Sequence, residues 1–350
     1  MRIGLALPQY DFSVPGEAPL RWATVAGWAR RAEDLGFDSV WMSDHLFLDI
    51  ERYGGGRAAR SGCLDPLVAL GALARHTSRV GLGTLTLCAP LRPATVLAKA
   101  LASLDVISGG RLLVGMGAGW YEPELATVGA GGERPGERLA RLAEAVEVLR
   151  GMWGGGPYSF DGRHQRAAGA WCLPRPVQRP GFPLSGPLGP GPPVWLGGRG
   201  DRLLGLAARC ADGWNTAWRW TPDAYRERVA VLHAACQEVG RDPASVALSV
   251  GLYALVGEDA TDLSRRFERL RRSSPPGVVA TASLDDWRQG RLVGTVEEVR
   301  EQLYWWAELG VSTVVVSPGA IPFSVSAPDD VEMVAAACSL DPCRTSDPWN

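Results

Sequence analysis

Lysine is all but missing from this chain. Lys99 is its single example among 36 Lys and Arg residues. The arginines are scattered and 38 Asp and Glu offset them, for a net charge of −2, so no basic stripe marks a nucleic-acid surface. No run of 18 apolar residues is present, which excludes a conventional membrane-spanning helix. The opening MRIGLALPQY has one Arg before an apolar stretch too short for a secretory signal, and reads as a first strand. The seven cysteines (Cys63, Cys88, Cys172, Cys210, Cys236, Cys338 and Cys343) are odd in number and form no CxxC. A disulfide framework or zinc ribbon is therefore not expected, and reduced, mostly buried thiols fit a cytoplasmic protein. The four His lie far apart and no HExxH occurs, so no metal is expected. GxSxG and GK[ST] are absent too, which leaves little support for an acyl-transfer hydrolase or a P-loop. With so few side-chain catalysts, a cofactor is expected to carry the hard chemistry.

What is present is alternation. Short apolar runs at Ile3–Leu7, Ser39–Met42, Val80–Thr84, Leu112–Met116, Pro193–Leu196, Gly213–Asn215, Ala247–Val256 and Thr313–Ser317 read as strands. Helical periodicity fills Leu20–Leu35, Pro66–Ala74, Thr95–Ile107, Gly136–Trp153, Arg202–Ala211, Pro222–Val239 and Thr295–Leu309. Such alternation argues for parallel strands with helical crossovers. Eight units in about 320 residues suit a closed (β/α)₈ TIM barrel of the α/β class better than a doubly wound sheet with a second domain. Residues 1–340 are expected to form one domain, with a loose tail over 341–350. Two insertions break the rhythm. Tyr158–Pro192, after strand 4, turns Pro/Gly-rich, with nine Gly or Pro among the thirteen residues Gly181–Pro193. A loop this long in a compact domain is expected to serve function, here as a lid. Arg272–Leu292 is a second irregular insertion, before the last helix.

A barrel of this kind builds its site at the C-terminal ends of its strands. Gln9 follows strand 1, Asp44 and His45 strand 2, Leu85 and Thr86 strand 3, and Gly117, Ala118, Gly119 and Trp120 strand 4. Gly197, Gly198 and Arg199 follow strand 5, and Asn215 and Trp218 strand 6. Asp44-His45 is the densest polar pair: imidazole is the default proton exchanger near neutrality, and an adjacent carboxylate can tune it. The plainer alternative is a structural pair capping the barrel rim. Gly115–Gly119 fails the dinucleotide fingerprint, because Trp120 stands where the third glycine belongs. It reads either as a tight turn or as a backbone that a flat ring can approach. Gly197-Gly198-Arg199-Gly200 precedes a helix, and free N–H groups at such a start bind phosphate, with Arg199 adding charge.

These pieces together resemble the luciferase-like monooxygenase superfamily, and within it the branch of coenzyme F420 (deazaflavin)-dependent oxidoreductases. The matching stretches are GFDSVWMSDHL (Gly36–Leu46), RVGLGTLTL (Arg79–Leu87), SGGRLLVGMGAGWYEPEL (Ser108–Leu125), ERLARLAEAVEVLRGMW (Glu137–Trp153), CLPRPVQ (Cys172–Gln178), PPVWLGGRG (Pro192–Gly200) and ADGWN (Ala211–Asn215). The resemblance implies a cofactor ring across the strand ends, with Asp44 and His45 beside it as catalytic residues. It implies a non-proline cis bond at Leu85–Thr86 behind the ring, and cofactor contacts from Gly117, Ala118, Gly119, Gly197, Gly198 and Arg199. Gln9, Trp120, Asn215 and Trp218 are expected to face a small organic substrate. A homodimer is the family expectation. The alternative cofactor is FMN, used with dioxygen in a monooxygenase and reduced by a partner reductase. A third reading is a degenerate member that binds a cofactor without turnover, against which the intact Asp44-His45 argues. One departure matters. Members that oxidise sugar phosphates carry Glu directly after the strand-4 turn, where this chain has Trp120, and the nearest acids are Glu122 and Glu124.

Overall fold

The structure is a computed structural model that describes residues 1–55, 60–177, 189–279 and 281–338. Eight parallel strands follow one another around a ring: β1 Arg2–Ala6, β2 Ser39–Met42, β3 Gly81–Thr84, β4 Leu112–Gly117, β5 Val194–Gly197, β6 Gly213–Trp218, β7 Ala247–Gly257 and β8 Val311–Ser317. Each pairs with its neighbours in sequence, and β8 closes on β1 with Arg2 opposite Thr313. The expected TIM barrel is therefore formed. Its strands are buried on both faces, which is why they read as short apolar runs without alternation.

The barrel interior is filled by tryptophan. The Trp41 and Trp195 rings meet there, centroids 5.7 Å apart, and both are almost fully buried. Glycine on the adjoining strands makes room for them. A Cβ at Gly83 would fall 2.2 Å from the Trp41 ring, and one at Gly213 2.7 Å from that of Trp195. Outside the strands, the crossover helices pack a second apolar layer around Leu70, Leu101, Leu149 and Val331. Helix starts carry their own signals. Asp65 caps Pro66–His76 by accepting from Leu67 and Val68 N–H, and Thr295 with Glu298 forms a capping box on Val296–Glu308.

Among the elements that escaped the sequence reading are the helix Ala260–Ser273 after β7, a short strand Leu292–Thr295 beside β7, and a final helix Pro328–Ala337. The second insertion thus holds regular structure, including the helix Leu284–Arg288 behind a Ser283 capping box, and Val296–Glu308 is not the last helix. The first insertion also begins regularly, as an antiparallel hairpin of Tyr158–Asp161 and Arg166–Ala170. Its described part runs down the outside of the barrel. Gln165 accepts from Ala94 N–H, Lys99 donates to Leu173 O, and Val177 N–H reaches Asp105. The lid expected over the mouth is not formed by 158–177. Residues 178–188 and the expected tail, 341–350, lie outside the described residues. Among the described residues, no helix is long and apolar enough to cross a membrane.

Candidate active site

At the C-terminal end of the barrel lies a cavity of about 730 Å³. It gathers Asp44, His45, Leu85, Thr86, Gly117, Ala118, Gly119, Trp120, Gly197, Gly198, Arg199, Asn215 and Trp218, residues spread over 175 positions of sequence. Gln9 is not among them. Its amide is fully buried between β1 and β2, donating to Ser43 O and Leu64 O and accepting from Ser43 N–H. Gln9 pins strand ends together, and the expectation that it faces substrate is corrected.

The two carboxylates of the lining are already engaged. Asp44 takes both prongs of the Arg92 guanidinium, at 2.6 and 3.0 Å, and the Cys88 N–H at 2.9 Å. Burial pushes its carboxyl above the usual range, while Arg92 and the Cys88 N–H pull it back. Arg92 also reaches Asp65, the cap of the next helix, so Asp44 joins the ends of β2 and β3 to that helix start. Glu124, on the short helix Glu122–Thr127, is 1% exposed and turns one oxygen to the Leu46 N–H at 2.6 Å and to His45 Nδ1 at 3.2 Å. The oxygen that takes the Leu46 N–H is an acceptor, so the ring offers it a proton on Nδ1 and Nε2 is left to exchange one. Trp120 and Tyr121 stand edge-on to the imidazole, with centroids at 5.5 and 6.2 Å.

The cavity floor is built around Thr86. The Leu85–Thr86 peptide is cis, as the family resemblance implies, and so is Ala217–Trp218. A Cβ on Gly117 would fall 2.6 Å from Thr86 Oγ1, and one on Gly197 2.5 Å from its Cγ2. The space those glycines leave is therefore taken by a threonine side chain rather than by an approaching ligand. Gly119 has φ of +80°, the left-handed turn that re-aims the chain toward Trp120. Beyond β5, the helix Asp201–Cys210 starts at Gly200 with no side-chain cap, which leaves first-turn N–H donors without that partner.

The luciferase-like monooxygenase family model matches residues 1–313. The chain belongs to this family. Among curated proteins, an F420-dependent hydroxymycolic acid dehydrogenase of Mycobacterium tuberculosis is 30% identical over 323 residues, covering 86% of this chain and 78% of that protein. Among solved structures, an F420-dependent secondary alcohol dehydrogenase in complex with an F420-acetone adduct matches with a TM-score of 0.74 at 20% identity, over 97% of this chain and 98% of the other. EDTA monooxygenase from Chelativorans sp. BNC1 matches with a TM-score of 0.75 at 19% identity, over 97% and 93%.

This luciferase-like barrel adds lining residues that sequence reasoning missed: Arg52, Tyr53, Arg219, Tyr253, Trp287 and Arg291. None sits in a recognisable motif, and Trp287 and Arg291 fall in the stretch read as irregular. Burial pushes the Cys88 thiol and the Tyr53 phenol to about 12 and raises Tyr253 well above its ordinary range. Asp44 and Glu124 are bound to the protein, and arginine stays protonated. What remains is His45, the residue type suited to proton exchange in neutral water.

Proposed function

We propose that this chain is a coenzyme F420-dependent oxidoreductase that moves a hydride between the deazaflavin and a small organic molecule, with His45 exchanging the accompanying proton. The observation that carries the reading is one cavity of about 730 Å³ that holds both the His45 imidazole and an uncapped helix start. The identity to an F420-dependent dehydrogenase supports the choice of cofactor.

The residues present fit that cofactor. Its ring would be held over Leu85 and Thr86, with Ala118 and Gly119 beside it, and its phosphate by Gly198, Arg199 and the first-turn N–H groups after Gly200, where the helix dipole favours an anion. When bound, the deazaflavin supplies a hydride donor or acceptor at its C5. The chain supplies the rest. His45 takes a proton on Nε2 as an alcohol becomes a carbonyl, or returns one as a C=C or C=N bond is reduced. Glu124 keeps the ring oriented throughout. Trp120 stands edge-on to the imidazole, and the Arg52 guanidinium lies 4.1 Å from the Trp120 ring centroid. Asp44 acts through the Arg92 pair, holding the strand-2 end on which His45 stands.

The test is a titration of the purified protein with F420 and with FMN, followed by fluorescence quenching. Saturable F420 binding, weakened by Gly198→Trp, is expected. Tight binding of FMN with none of F420 would replace this reading with the flavin monooxygenase one.

A further inference from the structure

The wall opposite His45 carries charge that the proposed chemistry leaves unused. In a ring of eight strands, β2 and β6 stand four places apart. The His45 end and the Trp218–Arg219 end therefore face each other across the mouth. Arg219 lines that far wall together with Arg291, which arrives from the segment before the strand Leu292–Thr295. Neither has a carboxylate partner among the described residues, whereas Arg92, Arg150 and Arg266 do.

Arg291 is held rather than loose. Its guanidinium carbon sits 3.8 Å from the Trp287 ring centroid and 5.4 Å from that of Tyr253. Nη1 donates to Trp287 O and Gln289 O, at 2.9 and 3.2 Å, and its Nε is buried without a partner. Burial and the neighbouring Arg219 bring its pKa down to about 10, the mark of two cations sharing a partly desolvated wall. Across the whole lining, four arginines face two carboxylates, and both carboxylates are spoken for. None of the four is paired with a carboxylate among the described residues. Arg52 lies over Trp120 beside His45, and Arg199 stands at the β5 helix start. The remaining positive charge is the pair Arg219 and Arg291 on one wall, beside aromatic rings. It lies one and two strands beyond the β5 helix start that suits the cofactor's phosphate.

We propose that the substrate is an organic acid, a carboxylate or phosphate on a planar apolar body, whose anionic group seats between Arg219 and Arg291 while its body lies along Trp218 and Tyr253 toward His45. Guanidinium forks suit such oxyanions, and exclusion of water along an aromatic wall strengthens the pairing. This inference rests on the proposed oxidoreductase reading only for the end of the molecule that reacts; the anion seat stands on its own geometry.

The experiment is calorimetric titration of the full chain with 1-naphthoate, 1-naphthyl phosphate and neutral 1-naphthamide, for wild type, Arg219→Gln and Arg291→Gln. F420 affinity is measured in parallel on each protein. At least one acid should bind tenfold or more tightly than the amide, and whichever acid binds better identifies the anion. Each substitution should weaken that acid about tenfold to a hundredfold, the usual worth of a hydrogen bond to a charged group. Amide binding should stay level, and added salt should weaken only the acid. Arg219 is exposed, so Arg219→Gln keeps the test open if Arg291→Gln disturbs the Trp287 stack. Equal binding of acids and amide overturns the proposal. So does a loss of F420 affinity in both variants with acid binding intact, which would assign the pair to the cofactor. Arginine-dependent acid binding in a protein that ignores F420 would sink the oxidoreductase reading and leave the anion seat standing.

Discussion

Replacing Glu124 by Leu should release the tautomer of His45. One carboxylate oxygen accepts the Leu46 N–H at 2.6 Å and faces Nδ1 at 3.2 Å, so the preference goes only when that acceptor goes. A Gln would place its amide oxygen there for the Leu46 N–H and keep Nδ1 protonated, which makes it the control. A hydrogen bond to a charged group is worth about 1.5–3 kcal/mol, which sets the Nδ1–H tautomer above the other by roughly 10- to 150-fold in wild type. In Glu124→Leu the two tautomers should approach parity. The assay needs no substrate. Long-range proton–nitrogen NMR of ¹⁵N-histidine protein reads the tautomer directly, and His45→Ala assigns the signal among four histidines. Once a substrate is in hand, kcat should fall about 10²- to 10⁴-fold, the usual worth of a positioned acid–base group. An unchanged His45 tautomer in Glu124→Leu would refute the orienting role.

Three further outcomes follow from packing and charge. Gly197→Ala should destabilise the barrel by about 1–3 kcal/mol in denaturant titration, since the new methyl must displace Thr86 Cγ2 from 2.5 Å, and Thr86→Ser should return part of the loss. Arg92→Leu strands the Asp44 carboxylate, which is 2% exposed, and should cost about 3–5 kcal/mol in the same assay; adding Asp44→Asn should recover some of it. For Glu33, burial opposes the carboxylate, but the N–H groups of Val80, Arg79 and Ser78 outweigh it and hold its pKa below the usual range. A lowered folded-state pKa gives stability that is full above the unfolded carboxyl range and lost as pH falls through the folded value. Wild type should therefore lose stability below about pH 4.3 more steeply than Glu33→Gln.

The barrel was legible because each strand is a short apolar run bounded by turn residues, a pattern that local sequence carries. What stayed hidden depends on partners distant in the chain. Ala260–Ser273 is studded with arginine and reads as a solvated stretch until Asp329 and Asp330, on the final helix, are seen to pair with Arg266 and Arg269. The strand-end motifs located the cavity because the βα unit sends its loops to one face. Gln9 misled for the same reason, since strand-end position alone does not say whether an amide faces the mouth or ties two strands together. Glu124 was noted only as a nearby acid. Its role appears when the helix Glu122–Thr127 turns it back toward a residue 79 positions earlier.

The displacement of that acid limits the chemistry. Trp120 occupies the place after the strand-4 turn, and the carboxylate one helical turn later is spent on His45 Nδ1 and the Leu46 N–H. Among the described residues, a substrate over the floor therefore meets one proton-exchanging group, not two. Hydride transfer coupled to a single proton balances an alcohol with its carbonyl, or a C=C or C=N bond with its reduced form. It does not supply a separate acid and base on opposite sides of the substrate. Turnover in mixtures of H₂O and D₂O distinguishes these cases. With one proton in flight from His45, the rate should fall linearly with deuterium fraction. A bowed dependence would require a second proton moving in the same step, and the assignment of His45 as sole exchanger would fail.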